Sequence, residues 1–174
     1  IRNEYPQFGL DGVRVVHHTE LLDELVADGR LVPDQHHEAV VAYHDACYLG
    51  RYNDIYEPGR RVAAAVPGQA VVEMDLHHRR GMCCGAGGAR FWMEEHEGER
   101  INHRRVKQAL EVVPDTIATA CPFCLVMLRD GVTDLQRTDV AVSDVAELLA
   151  DATGAWRVPA EDGPSAAEEP PPAH

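Results

Sequence analysis

All five cysteines of the chain fall into one spaced array: Cys47, then thirty-five residues to the vicinal pair Cys83-Cys84, then thirty-six more to Cys121-Pro122-Phe123-Cys124. No cysteine is left over. Soft thiolates gathered from distant segments are what an iron-sulfur cluster asks of a protein, so a fold that uses this array must bring three separate stretches of chain to one place. Disulfides are a poor account of it, because the count is odd, adjacent cysteines bridge each other only with strain, and no secretion signal is visible. A reducing cytosol suits free thiols better.

The segments around the cysteines read as alternating strands and helices. Val13 to Val16 is a short β-branched run, followed by a helix that Thr19 can cap, with Leu21, Leu22, Leu25 and Val26 on one face and Gly29 at its end. Ala39-Val40-Val41-Ala42-Tyr43 is expected as a buried strand that delivers His44-Asp45-Ala46-Cys47 at its carboxyl end, the edge where open α/β sheets place their sites. Pro58 and Gly59 open a helix running to Val66, and Ala70 to Met74 forms the next strand, with Cys83 and Cys84 in the loop after it. The stretch from Phe91 to Leu110 is expected to be helical, interrupted at Gly98, with Ile101, Val106, Ala109 and Leu110 facing the core. Thr116 to Ala120 is a third strand, and Cys121 and Cys124 follow it at the start of a helix with Pro122 in its favoured first position. Val140 to Val142 and a helix from Ser143 complete the alternation. The expected fold is α/β, a mainly parallel sheet with flanking helices and the cysteine segments at the carboxyl ends of strands.

These surroundings suit a cluster. Backbone amides and a helix amino-terminus stabilise its negative charge, and Gly85, Gly87 and Gly88 allow close, Cβ-free approach of the central loop, which makes them candidate cofactor-binding residues. Cys47, Cys83, Cys84, Cys121 and Cys124 are the candidate metal ligands. Five thiolates exceed the four that ligate a 4Fe-4S cube, so either one is spare or the cluster is not a cube. A structural zinc site built on Cys121 and Cys124 with two of the others is the alternative. A nucleotide loop is not, since Gly85 to Gly88 lack the Lys and Ser/Thr that hold phosphate. His17-His18, His44 and His77-His78 flank strand ends, with His44 near enough to Cys47 to support the site, and Arg51, Arg79, Arg80 and Arg90 surround the cysteines. None of them reads as catalytic, and no catalytic residue is assigned.

The net charge of -13 opposes phosphate contacts and argues against nucleic acid as a partner. No apolar run reaches the ~18 residues of a membrane span. The opening Ile1-Arg2-Asn3-Glu4-Tyr5, without an initiator Met, reads as part of a longer polypeptide. Residues 157–174, rich in Pro, Ala and Glu, read as a disordered acidic tail.

From Cys47 to Cys124 the chain resembles the cysteine-rich CCG domain found in heterodisulfide reductases, in anaerobic glycerol-3-phosphate dehydrogenases and in lactate-utilisation iron-sulfur proteins. The resemblance extends to His44-Asp45, to Tyr48 to Asn53, to Trp92-Met93-Glu94-Glu95 and to Ala120-Cys121-Pro122-Phe123-Cys124, and departs at Ala46, where many relatives have proline, and at Ala89, where many have a third glycine. It implies a 4Fe-4S cluster, cubane or non-cubane, on the five cysteines. It also implies tandem domains, with residues 1–37 closing a first CCG domain and residues 38–156 forming a second. The wording is most similar to the carboxyl-terminal part of actinobacterial iron-sulfur-binding reductases. That implies an iron-sulfur oxidoreductase relaying electrons from electron transfer flavoprotein, or another flavoprotein, toward a quinone or haem, at the cytoplasmic face of a membrane reached through a preceding region. The other functions left open are a cluster-based disulfide reductase of heterodisulfide reductase type and a zinc-binding docking module.

Overall fold

Four short strands pair side by side in the order β2-β1-β3-β4, all parallel: β1 (Ala39–Tyr43), β2 (Gln69–Val72), β3 (Thr116–Thr119) and β4 (Ala141–Asp144). The computed structural model describes residues 1–10, 12–93 and 98–154, so the expected tail lies outside the described residues. Parallel strands need long crossovers, which here are helical. The pair α2 (Cys47–Asn53) and α3 (Glu57–Ala64) joins β1 to β2, α4 (Ile101–Leu110) precedes β3, α5 (Pro122–Asp134) joins β3 to β4, and α6 (Val145–Thr153) follows β4.

Helices cover both faces. Alternation along β1 sends Val41 and Tyr43 into one core with Val62, Val66, Val145 and Leu149, and Ala42 into the other with Val106, Ala109, Ile117 and Leu128. This two-sided burial is why the strand reads as an unbroken apolar run. The helix α1 (His18–Ala27) packs on α3 and α6, and α4 packs on α5.

From β1 the chain moves outward to β2, then returns across β1 to reach β3. The reversal opens a crevice between the carboxyl ends of β1 and β3, the switch point at which open α/β sheets bind ligands. His44 to Cys47 leave β1 there, and Ala120 and Cys121 leave β3 there.

Four local expectations are corrected. Val13 to Val16 form no strand, because no described strand pairs with them; β-branched residues favour a pleated surface only where a sheet edge is on offer. Helix α1 is capped by His17, not Thr19: the His17 side chain accepts from the Thr19 N–H, Glu20 accepts from the His17 N–H, and Thr19 is buried in the first turn. Helix α6 starts at Val145 and not at Ser143, which lies in β4; Asp144 is its cap and Glu147 completes a capping box. The region after Phe91 is a short 3-10 turn (Arg90–Trp92) and then α4, residues 94–97 lying outside the described residues.

Candidate metal centre

The carboxyl end of β1 is anchored by its backbone. The His44 N–H donates to Ala118 O at 2.7 Å, so the chain enters the crevice still registered against β3. Ala46 is the N-cap of α2, with φ −70°, and Cys47 is the first residue of that helix; the φ is one that proline also adopts. Cys121 is the N-cap of α5 in extended conformation, and Cys124 lies one turn in, buried. Cys83 and Cys84 arrive from the loop after β2. All five thiols are free, Cys84 and Cys124 buried and the other three partly so.

Three of the groups are in ligand proximity: a ring nitrogen of His44 and the Sγ atoms of Cys84 and Cys124 lie within 4.8 Å of one another, all from buried residues. The thiols also shift one another's pKa. Cys121 is drawn down to about 6, first because the Cys124 thiol donates to it, then through the backbone N–H groups of Cys124 and Phe123 at the start of α5, against the opposing effect of burial. Cys84 is held below the usual thiol range by hydrogen bonds from Cys124, Cys83 and His44, while Cys124 and Cys83 are pushed up as the donors in that arrangement. Burial pushes Cys47 up, with Cys84 and Cys121 adding to the effect. Five thiols that influence one another's charge from three chain segments match the donor chemistry of an iron-sulfur cluster. A small void of about 10 Å³, room for one water at most, is bounded by His44, Cys47, Cys83, Cys84 and Cys124.

The glycines divide by role. Gly87 faces the site, since a Cβ there would stand 3.7 Å from the Cys83 Sγ. Gly85 takes φ +101° and its N–H donates to the Cys83 Sγ at 3.3 Å, but its missing Cβ makes room for Met127 and the start of α4. Gly88 has φ +65° with open space around it. Ala89 also takes a left-handed φ of 63°.

Two buried arginines frame the site, and sequence reasoning missed both. Arg60 grips both Asp45 oxygens, at 2.7 and 3.0 Å, both Glu73 oxygens, at 2.6 and 2.9 Å, and Tyr56 O at 2.8 Å, and it lies over the Tyr43 ring. Burial would raise the Asp45 carboxyl, but Arg60, helped by the His78 N–H, outweighs it and holds the group below the usual carboxylate range. Glu73, His77 and His78 also stand within ligand distance of one another, yet Glu73 is fully engaged by Arg60. Arg105, in α4, is completely buried and bonds to His44. A signal for it existed: Asn102, Arg105, Val106 and Ala109 recur at the helical period on the face assigned to the core. The outer arginines hold loops instead: Arg51 donates to Gly81 O at 2.7 Å, and Arg79 pairs with Asp54.

Known proteins resemble the chain across this region. The profile of the family described as "Cysteine-rich domain" (CCG) matches residues 41–129, from β1 into α5. The chain is 51% identical over 150 residues to the probable iron-sulfur-binding oxidoreductase FadF of Bacillus subtilis, covering 86% of this chain and 21% of that protein. It is 43% identical over 157 residues to the EtfAB:quinone oxidoreductase of Syntrophomonas wolfei, covering 86% of this chain and 22% of the relative. A third relative, a component of the dihydromethanophenazine:CoB--CoM heterodisulfide reductase of Methanosarcina acetivorans, is 39% identical over 140 residues, covering 80% of this chain and 34% of its own length. The chain thus spans between a fifth and about a third of these proteins.

Proposed function

The chain belongs to the cysteine-rich CCG domain family, and from that premise we propose that it is the iron-sulfur electron-transfer domain of a larger, membrane-associated oxidoreductase. It takes electrons from a flavoprotein, electron transfer flavoprotein or a dehydrogenase subunit, and passes them toward a quinone. The observation that carries this reading is the convergence of five free thiols from the ends of β1, the β2 loop and β3 at the switch point of the sheet. Relatives named as an iron-sulfur-binding oxidoreductase and an EtfAB:quinone oxidoreductase support the donor and acceptor classes.

Cys47, Cys83, Cys84, Cys121 and Cys124 are the proposed ligands, of a 4Fe-4S cluster that uses all five thiolates and is therefore not a simple cube. Such a group supplies reversible one-electron transfer. The protein's own part is to exclude water with Cys84 and Cys124 buried, to aim the α5 amino-terminus and the Gly85 N–H at thiolate charge, and to hold the loops with Arg51 and Arg60. Residues 38–156 are the proposed functional unit, with residues 1–37 closing a preceding domain. No described helix is long and apolar enough to cross a membrane, so attachment to the cytoplasmic face is assigned to another region of the full polypeptide or to a partner.

Anaerobic purification of the intact polypeptide, with iron, zinc and acid-labile sulfide analysis and paramagnetic resonance spectroscopy, tests this directly. Iron and sulfide in near-equal amounts, with a signal that is reduced by a flavoprotein donor, are expected. Colourless protein holding zinc without sulfide would replace it with the structural zinc module.

A further inference from the structure

Behind the thiols stands a pair with no place in the relay itself. Arg105 is fully buried. Its Nε donates to His44 Nδ1 at 2.9 Å, its Nη1 donates to Leu76 O at 2.9 Å and Gln108 Oε1 at 3.0 Å, and its Nη2 is buried without a partner. None of these contacts is with a carboxylate, because the nearby Asp45 is taken by Arg60. The anionic groups that act on Arg105 through space are Asp45, Cys124, Cys84 and Glu73, and burial lowers it only to about 10, so it keeps its charge at neutral pH. A buried guanidinium without a contacting anion is costly and is tolerable beside a centre of negative charge.

The contact with His44 fixes more than position. A guanidinium only donates, so Nδ1 must present its lone pair, and the proton of the neutral ring sits on Nε2. That nitrogen then has no lone pair for a metal, and the only hydrogen bond the ring can offer toward Cys84 is a donated one. Proximity alone would have grouped His44 with Cys84 and Cys124 as a ligand.

We propose that His44 is a fixed N–H donor to the Cys84 sulfur and not a metal ligand, that Arg105 locks it in this tautomer, and that the pair raises the reduction potential of the cysteine site. Both groups act in one direction. A hydrogen bond to a ligating sulfur and a buried positive charge each stabilise the more negative, reduced form. His44 and Arg105 are positioning residues in this sense, and the proposal rests on the iron-sulfur reading of the five thiols.

The test is a potentiometric titration, followed by paramagnetic resonance, of the intact polypeptide purified anaerobically as wild type, Arg105→Met, Arg105→Lys, His44→Phe and His44→Gln, each with iron and sulfide analysis. Arg105→Met and His44→Phe are expected to lower the midpoint potential by at least a tenfold change in the reduction equilibrium, about 59 mV for one electron. Arg105→Lys, which keeps the charge, and His44→Gln, which keeps an N–H, should recover most of it with wild-type iron content. Loss of iron in His44→Gln alone would make His44 a ligand and overturn the proposal, as would an unchanged potential in loaded Arg105→Met or His44→Phe. Should one neutral variant fail to fold, the other position decides. Wild-type protein without iron and sulfide would defeat the cluster reading itself; the diamagnetic protein would then report the His44 tautomer by nitrogen NMR, with Nε2–H expected and Nδ1–H refuting the lock.

Discussion

Replacing Arg60 with methionine should destabilise the domain by about 3–5 kcal/mol, the range for removing one partner of a buried ion pair. The magnitude follows from who is left behind. Arg60 and Asp45 are 8% and 6% exposed as side chains, so Asp45 would keep its burial and lose two charge-assisted hydrogen bonds, retaining only the His78 N–H at 2.6 Å. Glu73, 35% exposed, can recover water and adds little. At roughly 1.4 kcal/mol per decade, the unfolding equilibrium of the metal-free chain would shift by about two to three and a half decades, read by urea denaturation under circular dichroism. The effect has a pH signature. Because the folded pKa of Asp45 is depressed, the clamp's contribution is complete above the unfolded value near ~3.9 and is lost as pH falls through the folded value. Without Arg60, burial raises the carboxyl against only the His78 side of its surroundings, so the deficit should be largest at pH 7 and shrink on acidification as Asp45 neutralises. The double variant Asp45→Asn/Arg60→Met should recover more than half of the loss, since the stranded charge is gone. A loss under about 1 kcal/mol, or a double variant no more stable than the single one, would refute the stranded-charge account.

Ala89→Gly should stabilise the chain by several tenths to about 1 kcal/mol, because relief of the left-handed φ of 63°, worth about 1–3 kcal/mol, exceeds the roughly 0.4–1 kcal/mol of added unfolded-state entropy; a lower urea midpoint would contradict it. Gly59→Ala should cost about 1–3 kcal/mol by overpacking, since a methyl there would collide with the hydroxyl of buried Tyr43, and an unchanged midpoint would disprove that close approach. The five single Cys→Ser variants of the intact polypeptide should each fall below about half of wild-type iron if all five thiolates take part, given that a cube needs only four. Any variant that keeps full iron and sulfide identifies a thiol outside the cluster and refutes the five-thiolate arrangement.

Much of the site was legible before the fold. The apolar run Ala39 to Tyr43, the strand at Thr116, Pro122 after Cys121 and the loop carrying Cys83 and Cys84 are local signals, and each element lies where its pattern indicates. Failures came where the deciding partner is remote. Val13 to Val16 has strand composition but no described strand to pair with, and His17 caps α1 although imidazole is outside the usual capping set, because Thr19 is drawn into the packed interior. The Gly85 to Gly88 loop was expected to owe all its glycines to the site, whereas Gly85 makes room for Met127 and α4.

The spacing of the cysteines, the strand ahead of each thiol segment and the helix start at Cys121 could be read from residue order, since periodicity and turn chemistry act over a few residues. The strand order β2-β1-β3-β4, which opens the crevice between β1 and β3, could not. Nor could the burial of Arg60 against Asp45 and of Arg105 against His44, partners 15 and 61 residues away. Desolvation and pairing belong to neighbours in space, so the charges that tune this cysteine site became visible only once the helices had packed around it.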